Sequence, residues 1–461
     1  MLKHSLVVLR RDLRIHDHTA IIQACLKSEK VSICFVLDPK QLHKHKWQSG
    51  PALAFMQQSL IDIHQELGSL GSGLHVFAGD PAVVIPEIVK NQSFDAVFIN
   101  RDYTPFARIR DKSIHEALSA QQTPCFWLDD ALLNPPEAIR NGSGQPYKVF
   151  TAFFKACCKL PVATPQSVDI QRFLEAMPAE AWQENLNTIN HIQNTHQATH
   201  AGRSVALGLL DMLEGLADYD QQRDFPTLDA TSHLSAHLKF GTVSVREVYQ
   251  AIFQYLGQDH PLLRQLYWRD FFSHIAFHSP HVFGQAFDTR FSHISWENDK
   301  DKFAAWCQGN TGFLIVDAGM RQLQQTGTMH NRVRMITASF LVKDLHIDWR
   351  WGEAWFARHL VDYDPALNNG NWQWAASTGC DAQPWFRIFN PWRQQERFDA
   401  EGAYIRAWMP HLAHVSAQDL LHWYKRGDAS LHPLPIVEHK QAAAHAKTMY
   451  QNAIQFAPEI I

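Results

Sequence analysis

Ser5-Leu6-Val7-Val8-Leu9, broken at once by Arg10-Arg11-Asp12-Leu13-Arg14, is the stretch on which the reading of the N-terminal part turns. The apolar run is too short for a secretory signal core or a membrane span, and it reads as a buried strand. Working outward, comparable runs recur at Val31–Leu37, Leu74–Ala78, Ala96–Asn100 and Cys125–Leu128. Amphipathic stretches separate them: Thr19–Ser28, Pro51–Leu67, Pro81–Lys90 and Pro105–Ala120. Strands alternating with helices predict an α/β domain with a five-stranded parallel, Rossmann-like, doubly wound sheet over residues 1–130. Such sheets bind ligands at the carboxyl ends of their strands, which makes Asn100–Tyr103 a natural pocket edge. Neither GxGxxG nor GxxxxGK[ST] follows the first strand, so a standard dinucleotide or P-loop site is not expected there.

Residues 131–202 read as an interdomain connector: periodicity weakens, and Pro161, Pro165, Asn185, Asn187, Asn190, Gln193 and Gln197 accumulate. From 203 to 461 the pattern is helical throughout, predicting an all-α domain with helices over Arg203–Ala217, Val245–Leu256, Pro261–His278, Gly312–Thr326, Arg332–Leu345 and Gly352–Leu360. Of the 15 Trp, only Trp47, Trp127 and Trp182 precede Trp268, so this second domain contains something that needs indoles.

The 461 residues, 46% hydrophobic and 19% charged, exclude a single small module and wholesale disorder. Net charge is −4, so a polyanion site has to be a local patch rather than a global field. Seven scattered Cys without CxxC or zinc spacing read as reduced thiols of a cytoplasmic protein; no disulfide, no metal and no membrane anchor are expected.

Three clusters carry candidate chemistry. Asp362-Tyr-Asp364-Pro-Ala-Leu-Asn368-Asn369-Gly370-Asn371-Trp372-Gln373-Trp374 places two carboxylates, several amides and two indoles around Pro365 and Gly370. One helix of uniform face is not expected to absorb them all, and a capped turn with core indoles is the plainer alternative. In Met329-His330-Asn331-Arg332-Val-Arg334-Met335, two arginines flank an apolar helix start and need an anion, either a carboxylate or a phosphate. Gln265, Trp268 and Arg269 share a helical neighbourhood that suits a stacked, hydrogen-bonded aromatic ligand, or else a core Trp with polar neighbours.

Asn331-Arg332, the block Met335–Leu345, Asp348-Trp349-Arg350, Asn368-Asn369-Gly370, Trp372-Gln-Trp374-Ala-Ala-Ser and Phe386-Arg-Ile-Phe-Asn390-Pro391 together resemble the photolyase/cryptochrome family. Within it they are most similar to bacterial class I cyclobutane pyrimidine dimer photolyases. The likeness begins at Arg10–Arg14, continues through Pro146–Thr151 and Tyr219–Pro226, and ends at Pro435–Lys440. It implies an α/β antenna domain and a helical domain that binds FAD, reduced when active, and ultraviolet-damaged DNA, double- or single-stranded, as a monomer.

The resemblance assigns cofactor contacts to Tyr219, Thr231, Ser232, His233, Leu234, Ser235, Arg269, Asn331, Arg334, Asp362, Asp364 and Asn368, with Arg334 pairing with Asp362. Hydroxyls and backbone N–H groups at a helix start suit phosphates. It assigns lesion and DNA contacts to Arg223, Gln265, Trp268, Asn331, Arg332, Trp374 and Arg387, and an electron-transfer chain of indoles to Trp372, Trp349 and Trp296. A damaged dinucleotide flipped from the duplex would stack on Trp268 and Trp374, and photon-driven electron donation would split it without a protein nucleophile.

The departures bear on specificity. Gln265 stands where dimer-specific members usually carry Glu and (6-4) photolyases carry Gln, while Asn331 and Met335 replace the histidines of (6-4) enzymes. Dimer repair is the reading retained, with a (6-4)-type photolyase as an alternative. His233, Thr328 and Leu262 replace an Arg, a Trp and another Trp of the relatives. Around Tyr103–Arg108 no carboxylate of the folate-binding type is present, so a second antenna chromophore, whether folate, deazaflavin or flavin, stays open. A cryptochrome-like photosensor is the other alternative. Sensors commonly add a C-terminal extension, and this chain runs only 21 residues past Lys440, which favours the enzyme.

Overall fold

The computed structural model describes residues 1–42, 45–177, 185 and 200–455. Trp182, Asn187, Asn190, Gln193 and Gln197 of the expected connector lie outside the described residues. The chain divides into two compact units. The first comprises Met1–Ala217, Ser232–His278 and Val361–Asp364; the second comprises Asp218–Thr231, Ser279–Leu360 and Pro365–Ile461.

The first unit is built on five parallel strands, β1 Leu2–Leu9, β2 Ser28–Leu37, β3 His75–Ala78, β4 Ala96–Asn100 and β5 Cys125–Leu128, in the order β3-β2-β1-β4-β5. Side chains alternate across a strand, so Val7 and Leu9 enter one buried layer with Ile33 and Phe35, while Leu6 and Val8 enter the other with Val36, Val97 and Ile99. Both faces are covered, which explains why the strands read as unbroken apolar runs rather than alternating ones. Helices α1 Thr19–Lys27 and α2 Gly50–Ser69 supply Ala20, Ile21, Leu60 and Ile63 to the first layer. Helices α3 Pro81–Gln92 and α4 Pro105–Ala120 supply Ile85, Val89, Ile114 and Leu118 to the second.

The helix starts have a local cause. Ser49, Asp80 and Thr104 accept from Ala52, Ala82 and Ala107 backbone N–H groups, and a proline follows in the first turn, where its missing N–H costs nothing. The connector is not featureless: helix α5 Phe150–Cys157 lies within it, and Leu174 bridges Val31. The Arg203–Ala217 stretch splits into helix α6 Arg203–Asp211 and a 3₁₀ turn Met212–Leu216. Helices α7 Val245–Leu256 and α8 Pro261–His278 have the expected limits and pack in this unit. Buried Arg14 meets Asp130 at 2.6 Å, and Arg246 meets Asp17 and Asp130 at 2.8 Å, compensating charges that would be costly alone.

The second unit is helical: α9 Lys300–Gln308, α10 Leu314–Thr326, α11 Asn331–Lys343, α12 Trp349–His359, α13 Pro365–Ala376, α14 Pro391–Phe398 and α15 His439–Gln455. Helix α13 takes up the Asp362–Trp374 stretch from Pro365 onward, through Gly370, and leaves the two carboxylates of Asp362 and Asp364 ahead of it. Pro365 stands at the first helical position, where it is tolerated, and Asn369 and Gln373 one turn apart find buried partners. Asn369 Nδ2 donates to Val282 O at 2.9 Å and Glu353 Oε1 at 2.8 Å, while Gln373 Nε2 donates to Val282 O at 3.0 Å. Satisfied amides cost little in a core, so the polar residues do not interrupt the helix.

Candidate flavin and nucleic-acid site

In the first unit, the turn after β1 and the end of β4 meet. Asn100, expected at a pocket edge, is 5% exposed and structural: Oδ1 accepts from Ala20 N at 3.1 Å and Nδ2 donates to Asp12 Oδ2 at 2.7 Å. From the same turn Arg11 forms an ion pair with Asp364 and lies 3.8 Å from Asp102. Burial alone would raise the Asp364 carboxyl, but Arg11 and Lys239 outweigh it and hold it well below the usual carboxylate range. Burial, reinforced by Arg11, pushes the Lys239 ammonium down to about 8. Burial and Arg11 also lower Arg269, whose guanidinium donates to Ala131 O at 2.5 Å and Leu238 O at 3.2 Å. Lys239 escaped the sequence reading, and Arg11 and Asp102 stood only inside quoted stretches, because nothing local reveals that a residue 353 positions after Arg11 completes its pair.

The Thr231–Ser235 segment precedes a short helix, Ser235–Phe240, and turns through His233 at φ +51°. Among the described residues the hydroxyls of Thr231, Ser232 and Ser235 have no protein hydrogen-bond partner, and the first-turn N–H groups of a helix have none within it. Leu234 is 2% exposed and anchors the turn. Free hydroxyls and the N–H groups of a helix start are the donor set that a dinucleotide's phosphates require, so the residues present fit FAD.

On α8, Gln265 and Trp268 are half-buried one turn apart. Phe150 lies face to face with the Trp268 indole, ring centroids 3.6 Å apart and planes within 6°. Asp270, next to Arg269, accepts from Asn134 N at 3.0 Å, and burial pushes its carboxyl up to about 7.

The second unit holds the remaining residues. Arg332 is not a free cation: it meets Asp224 at 2.7 Å and covers the Phe398 ring at 4.6 Å. Arg223 lies 3.4 Å from Asp220 and over the buried Tyr219 ring. Arg387 is exposed and has no side-chain partner among the described residues. Arg334 Nε donates to Met329 O at 2.8 Å, and Asn331 is exposed with Nδ2 3.9 Å from Met335 Sδ. Asn368 Nδ2 donates to Glu353 O at 3.0 Å, leaving its Oδ1 for other company. Asp362 and Trp374 are half-buried.

Among the indoles, Trp372 and Trp349 are 2% exposed and Trp296 is half-buried. The ring neighbours of Trp372 are Phe356, 4.9 Å away, and Trp306, 6.2 Å away, an indole absent from the sequence reading.

The chain thus joins a doubly wound parallel sheet to an indole-rich helical unit whose residues fit a flavin dinucleotide. Residues 5–170 match the DNA photolyase family and residues 262–452 the FAD binding domain of DNA photolyase. The deoxyribodipyrimidine photo-lyase of Vibrio cholerae is 38% identical over 468 residues, 97% of this chain and 99% of that one. The archaeal photolyase of Sulfolobus tokodaii, solved with two FAD molecules, superposes with a TM-score of 0.87 at 37% identity, covering 97% of this chain and 100% of the other. A Synechocystis cryptochrome superposes with a TM-score of 0.88 at 27% identity, covering 97% and 99%. This chain belongs to the DNA photolyase family. The backbone is shared by repair enzyme and cryptochrome, so function has to be argued from side chains.

Proposed function

We infer that this protein is a light-driven deoxyribodipyrimidine photo-lyase: it binds FAD and ultraviolet-damaged DNA and splits the pyrimidine dimer into two pyrimidines. The observation that carries the reading is the half-buried Trp268 indole, stacked at 3.6 Å on Phe150 with Gln265 beside it, a rigid platform for a flipped base. Stacking on such a surface contributes about 1–3 kcal/mol per base, and a damaged dinucleotide is cheap to extrude. When bound in reduced form, FAD supplies an electron on blue or near-ultraviolet excitation and recovers it after the ring opens. The chain's own residues do the rest. Trp268 and Trp374 stack on the lesion, Gln265 and Asn331 hydrogen-bond its edge, and Arg387 with Arg223 and Arg332 balances phosphates. Arg269, Arg334, Asp362, Asp364, Asn368, Tyr219 and the Thr231–Ser235 turn hold the dinucleotide, and Trp372, Trp349 and Trp296 form the oxidisable chain.

We place the antenna domain at 1–130, the connector at 131–202 and the helical domain at 203–461, and the protein as a cytoplasmic monomer with a folate, deazaflavin or flavin as the candidate second chromophore. All seven Cys are free, in keeping with a reducing compartment, and among the described residues no helix is long and apolar enough to cross a membrane. The decisive experiment is repair of ultraviolet-irradiated oligothymidylate in light and in darkness, with a (6-4) lesion in parallel. Light-dependent recovery of thymine absorbance from the cyclobutane dimer supports the reading; repair of neither lesion by flavin-loaded, reduced protein overturns it in favour of a sensor.

Gln265 carries a sharper expectation. An amide can donate and accept hydrogen bonds but cannot deliver a proton to the dimer radical anion as a protonated carboxyl can. Gln265→Glu is expected to raise dimers split per photon severalfold while changing dimer affinity less than twofold, measured with fully reduced enzyme. An unchanged yield removes Gln265 from the lesion contact.

DNA affinity should fall with salt. Removing one phosphate-binding cation reduces the slope of log K against log salt by about one unit, because one fewer counterion is released from the DNA. Arg387→Ala is expected to show that reduction cleanly, because no ion pair is broken with it. Arg332→Ala should also destabilise the fold, because Asp224 loses its partner.

A further inference from the structure

Glu297, His346 and His445 come from three separate elements of the helical unit: the segment before α9, the turn between α11 and α12, and the middle of α15. Their ligand atoms all lie within 4.8 Å of one another. Glu297 Oε1 is 3.1 Å from His346 Nδ1 and 3.0 Å from His445 Nε2, and the two imidazole rings stand edge to face at 4.7 Å.

The tautomer of His346 makes this arrangement informative. Its Nε2 lies 2.9 Å from the carbonyl oxygen of Ala442, which can only accept, so Nε2 carries the proton. In a neutral ring Nδ1 is then a lone pair, 3.1 Å from a carboxylate oxygen that is also only an acceptor. This Nδ1 is buried and has no hydrogen-bond partner, on a side chain only 6% exposed. Two acceptors held this close need something positive beside them. A backbone carbonyl fixing one imidazole nitrogen while the other points at a shared centre is the usual outer support of a metal-binding histidine. The backbone is committed as well: His346 adopts φ +54°, and its carbonyl accepts from Glu297 N at 3.0 Å. Lys302 Nζ approaches the other carboxylate oxygen, Oε2, at 3.5 Å, and leaves Oε1 facing the imidazoles.

We propose that Glu297, His346 and His445 bind one first-row divalent cation, zinc by preference, which clamps the C-terminal helix α15 to the segment carrying Trp296. Two imidazoles, a carboxylate and a water make a tetrahedral set with bonds of about 2.0–2.2 Å; the carboxylate oxygen, now 3.0–3.1 Å from each imidazole nitrogen, needs to draw back by only a few tenths of an ångström, and all three ligand atoms already lie within 4.8 Å of one another. Nickel, cobalt and copper suit the same donors, whereas magnesium and calcium prefer oxygen. The clamp bears on the proposed indole chain through packing. Tyr450, on the same helix as His445, meets Trp296 edge to face at 6.1 Å within a cluster that includes Phe291, Ile294 and Met449.

The test is isothermal titration of zinc into chelator-treated, flavin-loaded full-length protein, with cobalt absorption as a second reading of ligand geometry. One equivalent of zinc is expected to bind, to raise the melting temperature by several degrees and to slow amide exchange in α15. His445→Ala and Glu297→Gln, both at exposed positions, are expected to keep the fold and flavin content and to bind zinc at least tenfold more weakly. Absence of saturable binding by the parent overturns the proposal, since an imidazolium–carboxylate ion pair then accounts for the geometry. Undiminished binding by both variants also overturns it, because the ion then sits elsewhere.

Discussion

Substituting Trp372 by Phe is expected to slow photoreduction of oxidised flavin at least tenfold while leaving repair by chemically reduced enzyme within about twofold. Trp372 is 2% exposed and is the proposed inner member of the indole chain, so it feeds the flavin and not the lesion. Phenylalanine fills most of the volume but is far harder to oxidise. The measurement is flavin bleaching under blue light with an external thiol, alongside a repair assay on dithionite-reduced protein. Equal loss in both assays contradicts this division of labour; no loss in photoreduction transfers the role to another aromatic. The packing offers an independent lever. A Cβ at Gly352 would lie 2.1 Å from Trp372 Cη2 and 2.6 Å from Leu341 Cδ2, closer than atoms can approach. Gly352→Ala is therefore expected to cost about 1–3 kcal/mol and to displace the indole, slowing photoreduction without removing any oxidisable group.

Removing the charge of Asp364 is expected to destabilise the protein by about 3–5 kcal/mol, because Arg11 then keeps a buried guanidinium without its main counter-charge. Asp364→Asn preserves shape and isolates that electrostatic effect in denaturant unfolding. The pH dependence has a definite sign. The folded carboxyl lies well below its unfolded value of about 3.9, so its stabilisation is fully present above that pH and disappears as pH falls through the folded value. The gap between parent and variant should thus be constant from pH 5 to 7 and shrink below about pH 4. A gap of less than 1 kcal/mol at neutral pH, or one that grows on acidification, contradicts the geometry. Lys239, already pushed down to about 8, should lose its proton at still lower pH in the variant, since Asp364 is one of the carboxylates that favour its charge.

Sequence alone determined the parallel sheet, its five strands and several helix limits: Pro105–Ala120, Val245–Leu256 and Pro261–His278 agree at both ends. Those features rest on period, β-branched runs and proline starts, all local in the chain. Family motifs likewise named the indoles and arginines without any coordinates. Tertiary structure alone decided what each polar group does. Arg332 needed an anion, carboxylate or phosphate, and the fold puts Asp224 beside it, while the amides of Asn369 and Gln373 find Val282 and Glu353. The Glu297, His346 and His445 cluster follows no sequence spacing. The reason is physical: periodicity reports which face of an element is buried, whereas the state of a charge or a lone pair depends on partners brought from tens or hundreds of residues away, and only the folded chain supplies them.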